Sequence, residues 1–282
     1  MIEFFQPATW SEALAVKAAH PKAMPVAGGT DVMVEINLDR HRPEAIIDLT
    51  RVPELTEWGM EGSSLRVGAG VTYARIIDEL GDRLPGLAMA ARTVGSPQIR
   101  NRGTVGGNLG TASPAGDAHP PLLACDALVE LASSSGTRRV AARDFFTGPK
   151  RSVKRDDELV AAFVIEPSDG GQQFAKVGTR NAMVIAVCSF AISIDRGRRR
   201  VGSGIGSAGP TPLTAPEAER FAEGELDWEG RRRLSEAAAT RFGQLVAEAA
   251  KPIDDIRGTA AYRRHALAVL ARRCLGWAWA GS

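Results

Sequence analysis

The chain has 282 residues with 44% hydrophobic content, enough for about two domains with real cores. Its 35 basic and 33 acidic side chains nearly cancel, and the arginine runs at 198–200 and 231–233 are too isolated to form a nucleic-acid-binding stripe. Three distant cysteines and four scattered histidines contain no CxxC pair and no HExxH spacing, which argues against a disulfide framework, a zinc site or an iron–sulfur cluster and for a reducing compartment.

The first residues, "MIEFFQPATW", lack a basic segment followed by an apolar core, and no apolar window of about eighteen residues occurs, so a soluble cytoplasmic protein is expected. A short strand leads to a helix over 11–19, with Ser11 as its expected N-cap, and a strand over 24–27 runs into a glycine pair. Beyond the pair, Val32, Met33 and Ile36 stand at helical spacing. "EAIIDLT" and "SLRVGAGV" read as strands, and "TYARIIDEL" as a helix with Tyr73, Ile76, Ile77 and Leu80 on one face. "GLAMAARTV" has helical spacing and enters a long glycine loop, "TVGGNLGTASPAGD"; a strand at "ALVELAS" follows. Short strands and helices alternate without a regular βαβ beat, so an α+β fold is expected rather than a doubly wound sheet. From about Gln172, three antiparallel strands ("QQFAKVGTR", "MVIAVCSFAISID", "RRRVGSGIGSAG") precede three helices ("APEAERFAEG", "WEGRRRLSEAAATRFGQLVAEAA", "GTAAYRRHALAVLARRCLGW"). These predict a second α+β unit, 172–282, after a first, 1–171.

Three glycine patterns invite a nucleotide-binding reading. Gly204, Gly206 and Gly209 spell GxGxxG, but Pro210 and Pro212 follow where a helix would have to start, so a strand edge and turn is expected instead of a Rossmann site. Gly68 and Gly70 find Tyr73 at the third glycine position, and no GxxxxGK[ST] occurs. "PVAGGTD" differs: Gly28 and Gly29 let successive N–H groups converge on an anion, with Asp31 expected to cap the following turn through its side chain. A plain tight turn before a helix accounts for this heptapeptide equally well. In the long loop, Gly103, Gly106 and Gly107 permit sharp turns, while Asn108, Thr111, Ser113 and Asp117 offer donors and acceptors. Such a wall suits a ligand with phosphates, a ribityl or ribose chain and a heteroaromatic ring.

"PVAGGTD", "TVGGNLGTASPAGD", "FAKVGTRNAMVIAV", "SAGPTPLTAPEAE" and "DDIRGTAAYRRHALAVLARR" occur in that order. In them the chain, from about residue 2 to 275, resembles the FAD-binding (medium) subunit of molybdenum hydroxylases, the family of the xanthine dehydrogenase FAD domain and the aerobic carbon monoxide dehydrogenase medium subunit. The resemblance implies a vanillyl-alcohol-oxidase-type (PCMH) FAD-binding domain over 1–171, in subdomains of about 1–55 and 56–171. A C-terminal domain of a small antiparallel sheet and a helix bundle would occupy 172–282.

The resemblance also implies a binding set. Val26, Ala27, Gly28, Gly29, Thr30, Asp31 and Val32 would wrap the pyrophosphate, and Val94, Ile99 and Gly103 would line the pocket. Thr104, Gly107, Asn108, Thr111, Gly116 and Asp117 would follow the adenine-to-ribityl side, with Ser113 nearby. Leu159 and Val160 would pass the flavin ring, and Lys176, near its pyrimidine end, would stabilise negative charge on the reduced ring; a surface ion pair is the competing reading of Lys176. Gly116 stands where relatives often carry a hydroxyl, so one ligand hydrogen bond is missing there or comes from backbone. No histidine lies in either loop, His119 coming just after the second, so non-covalent FAD is expected.

The implied role is an electron-transfer subunit working with a small [2Fe-2S] subunit and a large molybdopterin subunit, in a heterotrimer or its dimer, with NAD, a quinone or dioxygen as acceptor. The alternative is a freestanding FAD-dependent oxidoreductase, disfavoured because no obvious Tyr or His base is expected near the flavin, the only tyrosines being Tyr73 and Tyr262. A flavin-less interaction protein would not need so many costly glycines.

Overall fold

The computed structural model describes residues 2–230 and 232–281. In chain order, β1 (Glu3–Phe5), α1 (Trp10–Ala19), β2 (Met24–Val26), α2 (Val32–Asn37) and β3 (Ala45–Asp48) come first. The strands form a parallel sheet ordered β1-β3-β2, with Phe4 opposite Ile46 and Pro25 opposite Ile47. Parallel neighbours require crossovers, which α1 and α2 supply. Thr9, not Ser11, caps α1: its Oγ1 accepts from Glu12 N at 3.2 Å, and Glu12 Oε2 accepts from Ala8 N at 2.8 Å, a reciprocal pair of the capping-box kind.

A 3-10 turn at Pro53–Thr56 leads to the hairpin β4 (Trp58–Glu61) and β5 (Ser64–Gly68). Five helices follow: α3 (Tyr73–Glu79), α4 (Pro85–Thr93), α5 (Pro97–Arg100), α6 (Val105–Thr111) and α7 (His119–Ala124). Then come β6 (Leu128–Ser133), β7 (Gly136–Ala141), α8 (Ala142–Phe145), the ribbon β8 (Phe146–Gly148) with β9 (Arg151–Ser152), and β10 (Leu159–Ile165). The second sheet is antiparallel, ordered β4-β5-β10-β6-β7. β10, "LVAAFVI", is buried along its whole length, as a central strand covered on both faces must be. Its pairing with β6 slips between Val160 and Ala162, a bulge beside the cavity described below.

α6 corrects the expected loop. Thr104 Oγ1 accepts from Gly107 N at 2.8 Å, and Val105 and Leu109, four apart, are buried on one face. Tertiary burial outweighs the poor helix propensity of its glycines.

β11 (Gln172–Val177), β12 (Cys188–Asp195) and β13 (Arg200–Gly206) form the expected antiparallel sheet, with Phe174 opposite Ala191 and Ala191 opposite Gly204. β12 starts later than the apolar run from Met183 suggests. Arg180 Nε donates to Ala182 O at 3.0 Å, and Met183 takes φ 50°, so 178–187 is a folded connection. α9 (Pro216–Glu225), α10 (Glu236–Ala249) and α11 (Ala260–Ala280) pack on this third sheet around Phe190, Phe242 and Leu267. α10 begins at the Ser235 cap, whose Oγ accepts from Ala238 N at 3.1 Å, and not at Trp228; Arg231, inside that expected helix, lies outside the described residues. α4 and α7 also pack on the third sheet. Bare backbone permits this, because a Cβ on Gly202 or Gly204 would lie 2.0 Å from the carbonyl oxygen of Ala124 or Pro120. The GxGxxG glycines Gly204 and Gly206 thus sit within a strand under a helix.

Candidate functional site

Backbone contact between the two glycine segments builds the site. A Cβ on Gly28 would sit 1.9 Å from Arg102 O and 2.9 Å from Gly103 N, so the β2–α2 turn lies directly on the approach to α6. Gly29 takes φ +74°, the left-handed region that glycine favours. Gly106 seats α6 in the same way: its Cβ would be 2.4 Å from Ala69 O. Beside these contacts opens a cavity of about 900 Å³, at the upper end of the range for cofactor sites.

Sixteen of the twenty expected residues line it: Ala27, Gly28, Gly29, Thr30, Asp31, Val32, Val94, Ile99, Thr104, Gly107, Asn108, Thr111, Gly116, Asp117, Leu159 and Val160. Four stand behind the wall. Val26 ends β2. Gly103 O accepts from Tyr73 N at 2.9 Å, and Ser113 Oγ accepts from Ala115 N at 3.3 Å, shaping the turn after α6. Lys176 crosses from β11 and places Nζ 2.5 Å from Asp117 Oδ2; both side chains are buried, so the pair is not a surface one.

The polar groups left over indicate what fits. The N–H groups of Gly28, Gly29, Thr30 and Asp31 donate to no protein acceptor among the described residues, which leaves a cradle of donors for an anion. Asp31 does not cap α2; its Oδ2 lies 3.1 Å from the Thr111 hydroxyl, tying the two segments together. Asn108 Oδ1 and Asp117 Oδ1 are buried acceptors without partners, an arrangement expected where a ligand supplies the donors. Leu55, Val160 and Ile185 add apolar surface for ring systems. Donor cradle, buried acceptors and apolar walls together fit FAD.

Sequence reasoning missed several wall residues. Tyr73 is one; burial, then Asp117 and Asp31, hold its pKa well above the usual phenol value, so it stays a neutral phenol. Lys150 and Lys154 also reach the wall from the ribbon and the segment after it. Burial lowers the Lys154 pKa, so this amine has a weaker hold on its proton than a surface lysine. The basic run "KRSVKR" was the available signal. His41 stands at the wall too, whereas His119 is fully buried behind it, its Nε2 3.2 Å from Asn108 O. Burial pushes His119 down to about 4, so it is neutral at physiological pH. Among the described residues, no group of three or more His, Cys, Asp or Glu is placed to hold a metal, and no helix is long and apolar enough to cross a membrane.

Residues 1–167 match the family model described as the FAD binding domain in molybdopterin dehydrogenase, and residues 173–278 the CO dehydrogenase flavoprotein C-terminal domain. The nicotinate dehydrogenase FAD-subunit of Eubacterium barkeri is 35% identical over 204 residues, 68% of this chain and 69% of that one. The carbon monoxide dehydrogenase medium chain of Hydrogenophaga pseudoflava is 30% identical across 99% of this chain and 97% of its own, and the xanthine dehydrogenase FAD-binding subunit of Escherichia coli O157:H7 is 30% identical across 99% and 96%. Among solved structures, quinoline 2-oxidoreductase from Pseudomonas putida 86 matches with a TM-score of 0.89 at 26% identity, over 100% of this chain and 98% of that one. Reconstituted CO dehydrogenase from Oligotropha carboxidovorans gives 0.90 at 26% identity, over 100% and 99%. With the fold shared along its whole length, the chain belongs to the FAD-binding subunits of the molybdenum hydroxylase family and is an oxidoreductase subunit of the xanthine dehydrogenase kind.

Proposed function

We propose that this chain is the electron-transfer subunit of its complex, taking electrons from iron–sulfur clusters on a small partner and passing them to NAD, a quinone or dioxygen. Substrate oxidation would take place on a large molybdopterin partner, the three chains forming a heterotrimer or its dimer. We also infer that the FAD-binding unit spans 1–171, in subdomains of about 1–55 and 56–171, that 172–282 forms the second unit, and that the protein works in the reducing cytoplasm, given three unpaired cysteines.

One observation carries this reading: the Gly28–Asp31 turn has a row of N–H groups with no protein acceptor among the described residues, beside a cavity of about 900 Å³ whose wall includes the exposed side chains of Met183 and Ile185. When bound, FAD supplies a two-electron store. The chain's own part is to hold the cofactor and leave it a path to other molecules. The Gly28–Asp31 backbone would bind the pyrophosphate, Asn108 and Asp117 would orient the polar chain, and Leu159 and Val160 would flank the ring. A freestanding oxidase needs a base at the ring. Tyr73 keeps its proton and Tyr262 is half-exposed on α11, so neither tyrosine supplies it.

The test begins with the full chain purified and its visible spectrum recorded, followed by acid precipitation. A flavin spectrum, with FAD recovered in the supernatant at about one per chain, is expected. Flavin left in the acid pellet would refute non-covalent binding. A colourless chain that takes up no added FAD would refute the whole reading. Reduced protein is then mixed with NAD, a quinone or dioxygen, and the fastest reoxidation identifies the acceptor.

A further inference from the structure

Asp117 is held from one side only. Lys176 Nζ lies 2.5 Å from Oδ2 and the Thr93 hydroxyl 3.2 Å from the same oxygen, while Oδ1 is buried and unpartnered. Asp117 lines the cavity and Lys176 does not. The lysine belongs to β11 of the third sheet, paired opposite Ser189, and the aspartate to the turn before α7. The ion pair therefore joins the third sheet to the wall of the flavin cavity.

We propose that Lys176 is a positioning residue: it holds the Asp117 carboxylate at the cavity wall with one oxygen engaged and the other free to accept a hydrogen bond from the cofactor. This rests on the reading of the cavity as the FAD site, and it gives Lys176 a task other than direct contact with the ring. The physical reason is burial. A carboxylate removed from water and left without a counter-charge takes up a proton, and its oxygens then no longer all serve as acceptors. Burial raises the Asp117 pKa, and Lys176 opposes the rise by charge and hydrogen bond. Of the other groups facing it, Tyr73 on α3 stays a neutral phenol and Thr93 on α4 is uncharged; His119, two residues along, is neutral and turned towards Asn108. Lys176 is thus the cation that keeps Asp117 ionised, and flavin retention depends on how the third sheet packs against the cavity.

The test compares the full-length wild type with Lys176→Met, Lys176→Arg and the double variant Lys176→Met/Asp117→Asn. FAD affinity is read from flavin fluorescence between about pH 6 and pH 9. Lys176→Met is expected to bind FAD roughly tenfold or more weakly at the acid end, the deficit shrinking as the pH rises and Asp117 loses its proton. The wild type and the double variant, which lacks a titrating group at that position, should not show this slope, and Lys176→Arg should recover most of the affinity. A purely packing role for Lys176 would weaken binding equally at every pH and overturn the proposal, as would wild-type affinity and slope in Lys176→Met. If Lys176→Met lacks a native circular dichroism spectrum, Lys176→Gln, which keeps a polar side chain without the charge, decides: a deficit that shrinks as the pH rises supports the proposal, and wild-type affinity or a pH-independent deficit overturns it. Failure of the wild type itself to bind FAD would instead sink the reading of the cavity.

Discussion

Replacing Gly28 with alanine strikes the cradle at its tightest point. The added Cβ would lie 1.9 Å from Arg102 O and 2.4 Å from its carbonyl carbon, both backbone atoms that no rotamer change can move. Ordinary contact begins at 3.4 Å, so the two glycine segments must part by about 1.5 Å. A donor displaced that far from a hydrogen bond of about 2.9 Å no longer makes it. Losing two N–H contacts to a pyrophosphate, at about 1.5–3 kcal/mol each, weakens FAD binding about a hundredfold to ten-thousandfold. Flavin content after gel filtration and titration with added FAD measure the loss, and Gly59→Ala, whose Cβ meets nothing within 4 Å, is the control. Affinity within about twofold of the wild type in Gly28→Ala would refute the assignment of this turn to the pyrophosphate.

Gly204→Ala should leave the cradle alone and lower stability, because its Cβ would lie 2.0 Å from Pro120 O under α7. Overpacking of about 1–3 kcal/mol is expected, read as a lower thermal midpoint with FAD present in excess. Glu158→Gln tests a pH dependence. Arg138 donates to both carboxylate oxygens of Glu158, at 2.6 and 2.9 Å, and Arg155 N donates to Oε2 at 2.7 Å. The Arg138 bonds above all hold the folded-state pKa of Glu158 below its ordinary value. The unfolded chain therefore takes up this proton at higher pH than the folded one, so the stabilisation is complete above the ordinary carboxylate range and disappears as pH falls through the depressed value. The variant should lose about 1–3 kcal/mol at neutral pH and converge on the wild type in acid; denaturant midpoints from neutral to acid pH show it, and a constant gap would refute it.

Most of the cavity wall was named in advance through the ordered motifs of the resemblance, because the glycine pair at 28–29 taken alone fits a plain turn equally well. The third sheet was legible because its strands are long enough to read, Cys188–Asp195 running through eight residues. Other parts were hidden for identifiable reasons. β1, β2 and β3 read as strands, but with three or four residues each they are too short for alternation to show that they pair in parallel. β4, "WGME", is largely exposed and only four residues long. α6 reads as a loop because its glycines disfavour a helix, and only the Thr104 cap and two buried side chains reverse that preference. Asp31 is a good cap by type but is drawn 80 residues away to Thr111, a contact that no local pattern encodes. Tyr73 reaches the cavity through tertiary folding alone, and the Asp117–Lys176 pair joins positions 59 apart.

Helix α7, whose six residues are all buried, has a consequence for synthesis. It rests on β13 through the bare backbone of Gly202 and Gly204, yet it leaves the ribosome well before that strand exists. At translation rates of about 5–20 residues per second, the roughly eighty residues between them take about 4–16 seconds to appear. Throughout that interval Pro120, Ala124 and Ala90 lack the cover that the third sheet gives them in the folded protein, a small apolar surface that only later sequence covers. The nascent chain therefore carries an uncovered apolar face at a stage when both glycine segments have already been made, and a ligand held by those segments would not cover it.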